Sequence, residues 1–426
     1  MNPAAIDPTL LDRLFTAVST HGATPAGGVH RPAATAADGA ARDWLAGWLR
    51  EAGLTVKIDP IGNMFGVLEW AGPDAPSVMV GSHIDSQPNG GCYDGAYGVV
   101  AACTAVQAVR QTAVARGVRP LCNLVIVNWT NEEGARFQPS LMGSGVYAGQ
   151  LGLADALGRR DGEGVSVGEA LAEIGYAGTD RQEFPRAYLE VHVECAAALE
   201  TAGERFGIFT RYWGAIKYRL AYLGEQAHTG PTPMALRKDA LLAAAHLMVG
   251  LRAVADASGL ALHTSVGRLE VSPNSPNIVP GEAVMFIELR SPDPAVLAQA
   301  ERDLVALIAE SGQRAGVGHE VRSIDRRRPG PADARLIALA ERCAGSAGVS
   351  SRHLATIAGH DAYAVGQVAP ALVIAVPSVG GVCHHPSEFT QFEDLALGTD
   401  ILAHMLWTLC TVPEALAGLA EGGGAS

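Results

Sequence analysis

The sequence predicts an α/β fold: a mostly parallel sheet carrying helices on both faces, with a smaller α+β domain inserted into it. Three observations lead there. Short, continuous apolar runs alternate with longer helical patterns, as βα units do around a parallel sheet. The runs lack polar alternation, which suits strands buried on both faces. The middle of the chain changes character, with alternating strands in the order β-α-β-β-α-β. A length of 426 residues allows two or three domains at roughly 100–200 residues each.

The apolar runs are 78–80, 121–129, 187–193 and 371–376. Helical patterns between them include 98–110 and 333–345. The middle segment starts with an alternating strand over 212–223 and a helix over 233–256. Strands at 263–271 and 283–290 follow, joined by the Pro/Asn-rich turn 272–281. A helix over 294–311 and a last strand near 320–324 complete it. The expected division is therefore a main domain of residues 1–209 and 327–426 and an inserted domain of residues 210–326. The return linker is Arg326-Arg327-Arg328-Pro329-Gly330-Pro331, and the tail EGGGAS (421–426) is expected to be disordered.

Composition narrows the function classes. Hydrophobic residues at 48% against 18% charged can fill a large core, so disorder is not expected. A formal net charge of -13 argues against nucleic-acid binding, which needs a basic footprint. The N-terminus reads as an amphipathic helix with acids rather than a signal peptide. No apolar run approaches the ~18 residues of a membrane span. The seven cysteines, Cys92, Cys103, Cys122, Cys195, Cys343, Cys383 and Cys410, show no disulfide framework, so free thiols in a reducing cytoplasm are expected.

The chemistry sits after the strands. In open α/β sheets, ligands bind beyond the carboxyl ends of the strands. The first run leads into Gly81-Ser82-His83-Ile84-Asp85, the second into Asn131-Glu132-Glu133, and the third ends on His192 and Glu194. The fourth leads to Cys383-His384-His385, and Asp94 lies in the Gly-rich segment 90–95. A scattered histidine is more often core or surface than ligand, and paired glutamates usually line a solvated face. Five groups with complementary chemistry, each following a strand, outweigh those readings. Imidazole nitrogen and carboxylate oxygen are the ligands of hydrolytic divalent metals. A carboxylate can bridge two ions, and Asp94 is the candidate bridge. Asp85, two residues after His83, shares its side of an extended segment and is placed to fix the imidazole tautomer. Of Glu132 and Glu133, one can bind metal while the other stays free as general acid/base.

These residues resemble the amidase/hydantoinase/carbamoylase family, which includes N-carbamoyl-L-amino-acid hydrolases, beta-ureidopropionase and allantoate amidohydrolase. That family lies within a clan of aminoacylase-like and dipeptidase-like metallopeptidases. The resemblance rests on GSHIDSQPNGGCYDG (81–95), TNEEGARF (130–137), LEVHVE (189–194), GEQAHTGPTPMALRKDA (224–240), SPNSPNIVPG (272–281), AGHDA (358–362) and GVCHHPSE (381–388), in order over nearly the whole chain. It implies two divalent ions, zinc by default, with manganese, nickel or cobalt as alternatives. His83, Asp94 and His192 would hold one ion, and Asp94, Glu133 and His384 the other. Glu132 would be the general acid/base. His228 would reach the neighbouring site of a homodimer and stabilise the oxyanion, while Asn277 and Arg290 would grip a substrate carboxylate. Gly359, His360 and Cys195 would lie at the substrate. The inserted domain would act as lid and dimerisation surface.

The chain also departs from the family pattern. Where members commonly read H-I-E-Q-G, it reads His192-Val193-Glu194-Cys195-Ala196, so an amide group is replaced by a thiol. Cys383 stands where Ser is usual, His385 where Asn is usual, and Ile357 where Gly is usual. The expected reaction is hydrolysis of a linear C–N amide, by default the ureido group of an N-carbamoyl amino acid or an allantoate-like compound. N-acyl amino-acid deacylation or dipeptide hydrolysis is the near alternative. A metal-bound, non-catalytic binding protein is the alternative from another class, and a free base at Glu132 argues against it.

Overall fold

The computed structural model describes residues 3–419, apart from the side chain of residue 260, so the tail at 421–426 lies outside the described residues. The chain folds as two compact units, one of residues 1–210, 332–354 and 358–426, the other of residues 211–331 with 355–357.

The first unit is built on one sheet. Its strands are β1 (Thr55–Ile58), β2 (Met64–Leu68), β3 (Ser77–His83), β4 (Asn123–Trp129), β5 (Ala187–Val193) and β6 (Gly207–Tyr212). The four apolar runs of the sequence are β3, β4, β5 and the late strand at Ala371–Val376, and these pair in parallel in the order β4-β3-β5-(371–376). β4, β5 and the late strand are buried at every position, because both sheet faces are covered. β1, β2 and β6 were not anticipated. They flank the parallel core in antiparallel pairing, and two of them are only four or five residues long. The helix Ala96–Arg116 packs on β3, β4 and β5 and against the helix Phe392–Thr411.

A buried arginine ties one helix of this unit to the turn between β1 and β2 and to the segment that follows β4. The helix Ala36–Glu51 is N-capped by Thr35. Arg42 on it pairs with Asp38 at 2.8 Å, both side chains being fully buried. Its other nitrogens donate to the Gly62 carbonyl at 2.7 Å and Thr130 Oγ1 at 3.2 Å. Removing one partner of a buried pair strands the other charge, at a cost of about 3–5 kcal/mol. Arg42→Ala is expected to lower the urea midpoint accordingly, and an unchanged midpoint would show that the pair contributes nothing.

The second unit is an antiparallel sheet with two helices. Its strands are β7 (Gly214–Leu223), β8 (Ala227–His228), β9 (His263–Ser272), β10 (Ile278–Val279), β11 (Glu282–Ser291) and β12 (Gly318–Arg327). The sheet order is β12-β7-β11-β9, with β8 and β10 forming a separate two-residue ribbon. The helices Ala240–Ala257 and Pro294–Ala315 cover one face, where Leu220, Tyr222, Leu247, Leu251, Met285 and Leu304 pack together. Three short strands follow β12: β13 (Gly330–Pro331), β14 (Arg352–Thr356) and β15, the late strand named above.

One expectation needs correcting. The helix read over 233–256 begins only at Ala240, because Asp239 caps it through the Leu242 N–H. The preceding Met234–Leu236 is a single 3₁₀ turn whose Met234 and Leu236 are exposed, so no apolar face holds it in a longer helix. The same helix, Ala240–Ala257, is long and apolar enough by length and composition to cross a membrane. No unbroken apolar run marks it in the sequence, because Asp256, Arg252 and His246 interrupt the pattern.

Candidate metal centre

The carboxyl ends of β3, β4, β5 and β15 lie at one edge of the sheet. His83 closes β3 opposite Trp129 of β4, and His192 pairs across to Ala375 of β15. Parallel pairing brings distant parts of the sequence together there, and Asp94 stands at the centre. Its Oδ1 lies 3.1 Å from His192 Nε2 and 3.6 Å from His83 Nε2. Its Oδ2 lies 3.1 Å from His384 Nε2. His384 Nε2 is also 3.2 Å from Glu133 Oε2. Two triads result, His83–Asp94–His192 and Asp94–Glu133–His384, each with ligand atoms within 4.8 Å of one another. They share Asp94 through different oxygens, so the side chains suit two neighbouring cations.

Each of these side chains has its own support. The His83 Nδ1 is bonded to the main-chain carbonyl of Asp85 at 2.9 Å. The Asp85 carboxylate is farther away, at 3.7 Å, and its oxygens accept the N–H groups of Glu132 and Glu133 at 3.2 and 3.3 Å. The tautomer role expected of that carboxylate thus falls to its own backbone, and the carboxylate instead orients the Glu132–Glu133 turn. His192 Nδ1 is likewise bonded to the Val193 carbonyl at 2.7 Å. Gln87 holds Glu133 through its backbone N–H at 3.2 Å and side-chain amide at 2.9 Å. Asn131, Cys195 and His384 all have positive φ, a conformation uncommon for residues other than glycine.

Two carboxylates that support the site were missed. Glu388 accepts the backbone N–H groups of Tyr93 and Asp94 at 2.9 and 3.1 Å and so holds the bridging loop. A Cβ on Gly91 would lie 1.9 Å from Glu388 Oε2, which explains glycine there. Gly95, at φ +65°, leaves room for the His83 ring, 2.3 Å from where a Cβ would stand. Glu190 is fully buried beneath the ligands and accepts from Ser82 Oγ at 2.8 Å and the Ala362 N–H at 3.0 Å. Its i, i+2 spacing from His192, the same face of a strand, was the signal available.

Glu132 stands apart from both triads, 3.4 Å from His83 Nε2 and nearly buried. Burial pushes its carboxyl up to about 8, with His83 opposing and Glu133, Asp94 and Asp85 adding to the rise. Burial also lifts Asp85 to about 6 against the pull of His83. Burial disfavours the charged imidazoles, yet Asp94 and Glu133 hold His384 up at about 11. His83 and His192 are likewise well above their ordinary value despite burial, through Glu132 and Asp94 for the first and Asp94 and Cys195 for the second. Asp94 itself lies well below the carboxylate range, because bonds from the three histidines overcome its burial.

These directions make cation uptake a proton-releasing event. Ligand imidazoles must be neutral, whereas the carboxylates around His83, His192 and His384 favour the protonated rings. Uptake at pH 7 should release protons, and affinity should weaken as pH falls. Titration calorimetry in buffers of different ionisation heat measures this; uptake with no proton release would contradict the assignment of the histidines as ligands.

The other expected residues fall in two places. His360 is buried in the first unit, its ring 4.7 Å from that of His192 and stacked on Phe209 at 5.3 Å. Gly359 precedes it. Cys195 Sγ approaches Cys383 Sγ at 2.8 Å. In the second unit, His228 is exposed on β8, opposite Ile278 of β10, with Thr229 N–H bonded to the Asn277 carbonyl at 3.2 Å. His228 Nδ1 accepts the Gly230 N–H at 3.1 Å, which leaves Nε2 as the donor. Arg290 is bound to Glu288 at 2.8 Å and to the Ile357 carbonyl.

A sheet edge with two carboxylate-linked ligand triads defines a metal-dependent hydrolase of the M20 type. The chain belongs to peptidase family M20/M25/M40, whose model matches residues 79–408. Within it, the chain resembles the hydantoinase/carbamoylase amidases. A crystal structure of such an amidase from Burkholderia vietnamiensis superposes with a TM-score of 0.93 at 35% identity, covering 97% of this chain and 100% of that one. An N-carbamoyl-L-amino-acid amidohydrolase of Rhizobium meliloti is 36% identical over 91% of this chain and 93% of its own. An allantoate amidohydrolase of Bacillus subtilis is 35% identical over 92% of this chain and 95% of its own.

Proposed function

We propose that this protein hydrolyses the ureido group of an N-carbamoyl amino acid or an allantoate-like compound at a centre of two divalent ions. The observation that supports it most is Asp94, whose two oxygens face two separate ligand sets while Glu132 stands beside them unligated. Bound divalent ions supply a water of lowered pKa and polarise the substrate carbonyl. His83, Asp94 and His192 would hold one ion, and Asp94, Glu133 and His384 would hold the other. Glu132 takes a proton from the attacking water and returns it to the leaving nitrogen. His228, with Nε2–H outward, donates to the developing oxyanion in the partner of a homodimer. Asn277 and Arg290 hold the substrate carboxylate, Arg290 exchanging its bond to Glu288 for that ligand. The carbamoyl products are amino acid, carbon dioxide and ammonia. The relatives' names support the ureido reading, and a reducing cytoplasm suits seven thiols that are all free.

The test is hydrolysis by metal-reconstituted protein of N-carbamoyl, N-acetyl and N-formyl amino acids, allantoate and dipeptides, reading ammonia and free amine. Ammonia release from a carbamoyl compound or allantoate is expected. Turnover of acyl or peptidyl substrates alone would move the assignment to the deacylase or dipeptidase reading, which Cys195 in place of an amide side chain keeps open.

A further inference from the structure

Cys195 and Cys383 are separated by 188 residues, yet their sulfurs meet 2.8 Å apart beside the bridging carboxylate. Cys383 Sγ is 3.0 Å from Asp94 Oδ2, and Cys195 Sγ is 3.9 Å from the same oxygen. The three atoms form a further compact ligand group, distinct in composition from the His/carboxylate groups. Both cysteines adjoin ligands in sequence, Cys383 preceding His384 and Cys195 following His192 by three. Cys195 is held there by its backbone N–H bond to Ser378 Oγ at 3.1 Å, in a positive-φ conformation. Neither thiol is fully buried, so a cation from solvent can reach them.

We propose that Cys195 and Cys383 are metal ligands which, with Asp94 Oδ2, would hold a cation as an alternative to the Asp94–Glu133–His384 set, so that the centre selects a thiophilic divalent cation over manganese. This rests on the reading of the site as a metal centre. A zinc–sulfur bond of about 2.3 Å with a zinc–oxygen bond of about 2.0–2.2 Å sets tetrahedral O···S spacings of roughly 3.5 Å. The observed 3.0 and 3.9 Å bracket that value. The sulfurs, 2.8 Å apart, must part by roughly 1 Å to sit on one tetrahedral ion. Each thiol gives its proton to solvent as its sulfur takes the ion. Soft thiolate ligands favour zinc, cadmium or cobalt, whereas manganese prefers oxygen. The two positions where the chain departs from the amide and hydroxyl of its family thereby act together.

The experiment uses the full-length protein, reduced and stripped of metal, then titrated with cobalt(II) and cadmium(II). A near-ultraviolet thiolate-to-metal charge-transfer band is expected in the unaltered chain. It should be lost in Cys383→Ser and weakened in Cys195→Gln, with cadmium affinity lowered roughly tenfold or more. Manganese affinity should change little. Cobalt held by the unaltered chain, seen by its visible d–d bands and by dialysis, with no charge-transfer band would overturn the sulfur ligands and leave the metal centre standing. A band that persists in both variants would place the sulfur elsewhere and also overturn the assignment. No retained ion at all would overturn both the centre and this inference. If one variant fails to fold, the other still reports whether the band comes from these two thiols.

Discussion

Glu132→Gln should keep its metal and lose turnover by about 10²- to 10⁴-fold, the range for a positioned general acid/base. The substitution preserves shape and removes the proton acceptor. Glu132 lies outside both ligand triads, so the ion count by dialysis and metal analysis should be that of the unaltered protein. Glu132 Oε2 lies 3.4 Å from His83 Nε2, so in metal-free protein a neutral amide removes one of the contacts that raise the pKa of that histidine. The measurement is kcat and kcat/KM on whichever substrate the panel identifies, with metal content determined on the same sample. Full activity with full metal would remove Glu132 from the proton-transfer role. Lost activity with lost metal would make it a ligand instead.

Asp94→Ala is expected to abolish turnover and to cost the protein its response to metal. One side chain provides an oxygen to each triad, through contacts of 3.1 Å to His192 and 3.1 Å to His384. Losing it leaves two ligands on each side. An ion that binds only the folded state stabilises it by about 4 kcal/mol when present at about 1,000 times its Kd. The unaltered protein should therefore show a clear fall in Tm on chelation, and Asp94→Ala should show the lower Tm with or without added metal. A variant whose Tm still rises on adding metal would show that the bridge is dispensable. The same comparison tests the electrostatic balance of the site. Glu388, which accepts from the backbone of residues 93 and 94, would lose a like-charged neighbour that helps lift its carboxyl to about 7, although burial is the larger cause.

Much of the site can be read from residue order alone. Strand ends followed by His83, Glu132–Glu133, His192 and His384 announce themselves because a parallel sheet delivers all its carboxyl ends to one edge. The residues missed were those whose role is to hold others. Glu388 reads as one acid in a loop until the fold carries it back to the amides of Tyr93 and Asp94. Glu190 reads as a polar residue in an apolar strand until Ser82 and Ala362 are seen to satisfy it. Asp85 shows the opposite limit. Its spacing from His83 was read correctly as proximity, but the backbone carbonyl took the imidazole and the carboxylate took the next turn's N–H groups.

The alternation of apolar runs and helical patterns, the β-α-β-β-α-β order of the middle segment and the ligand types after each strand were determined by the sequence by itself. They follow from local periodicity and from the chemistry of single side chains. The antiparallel flanks β1, β2 and β6 were decided only by tertiary structure, since strands of four to six residues carry too little pattern to separate from loops. So was the start of the helix at Ala240, where one capping carboxylate outweighed a longer helical pattern. The meeting of Cys195 with Cys383 was decided there as well. No spacing in the chain relates two residues brought together by the carboxyl end of β5 and the loop after β15, and only pairing in the folded sheet places both sulfurs beside Asp94.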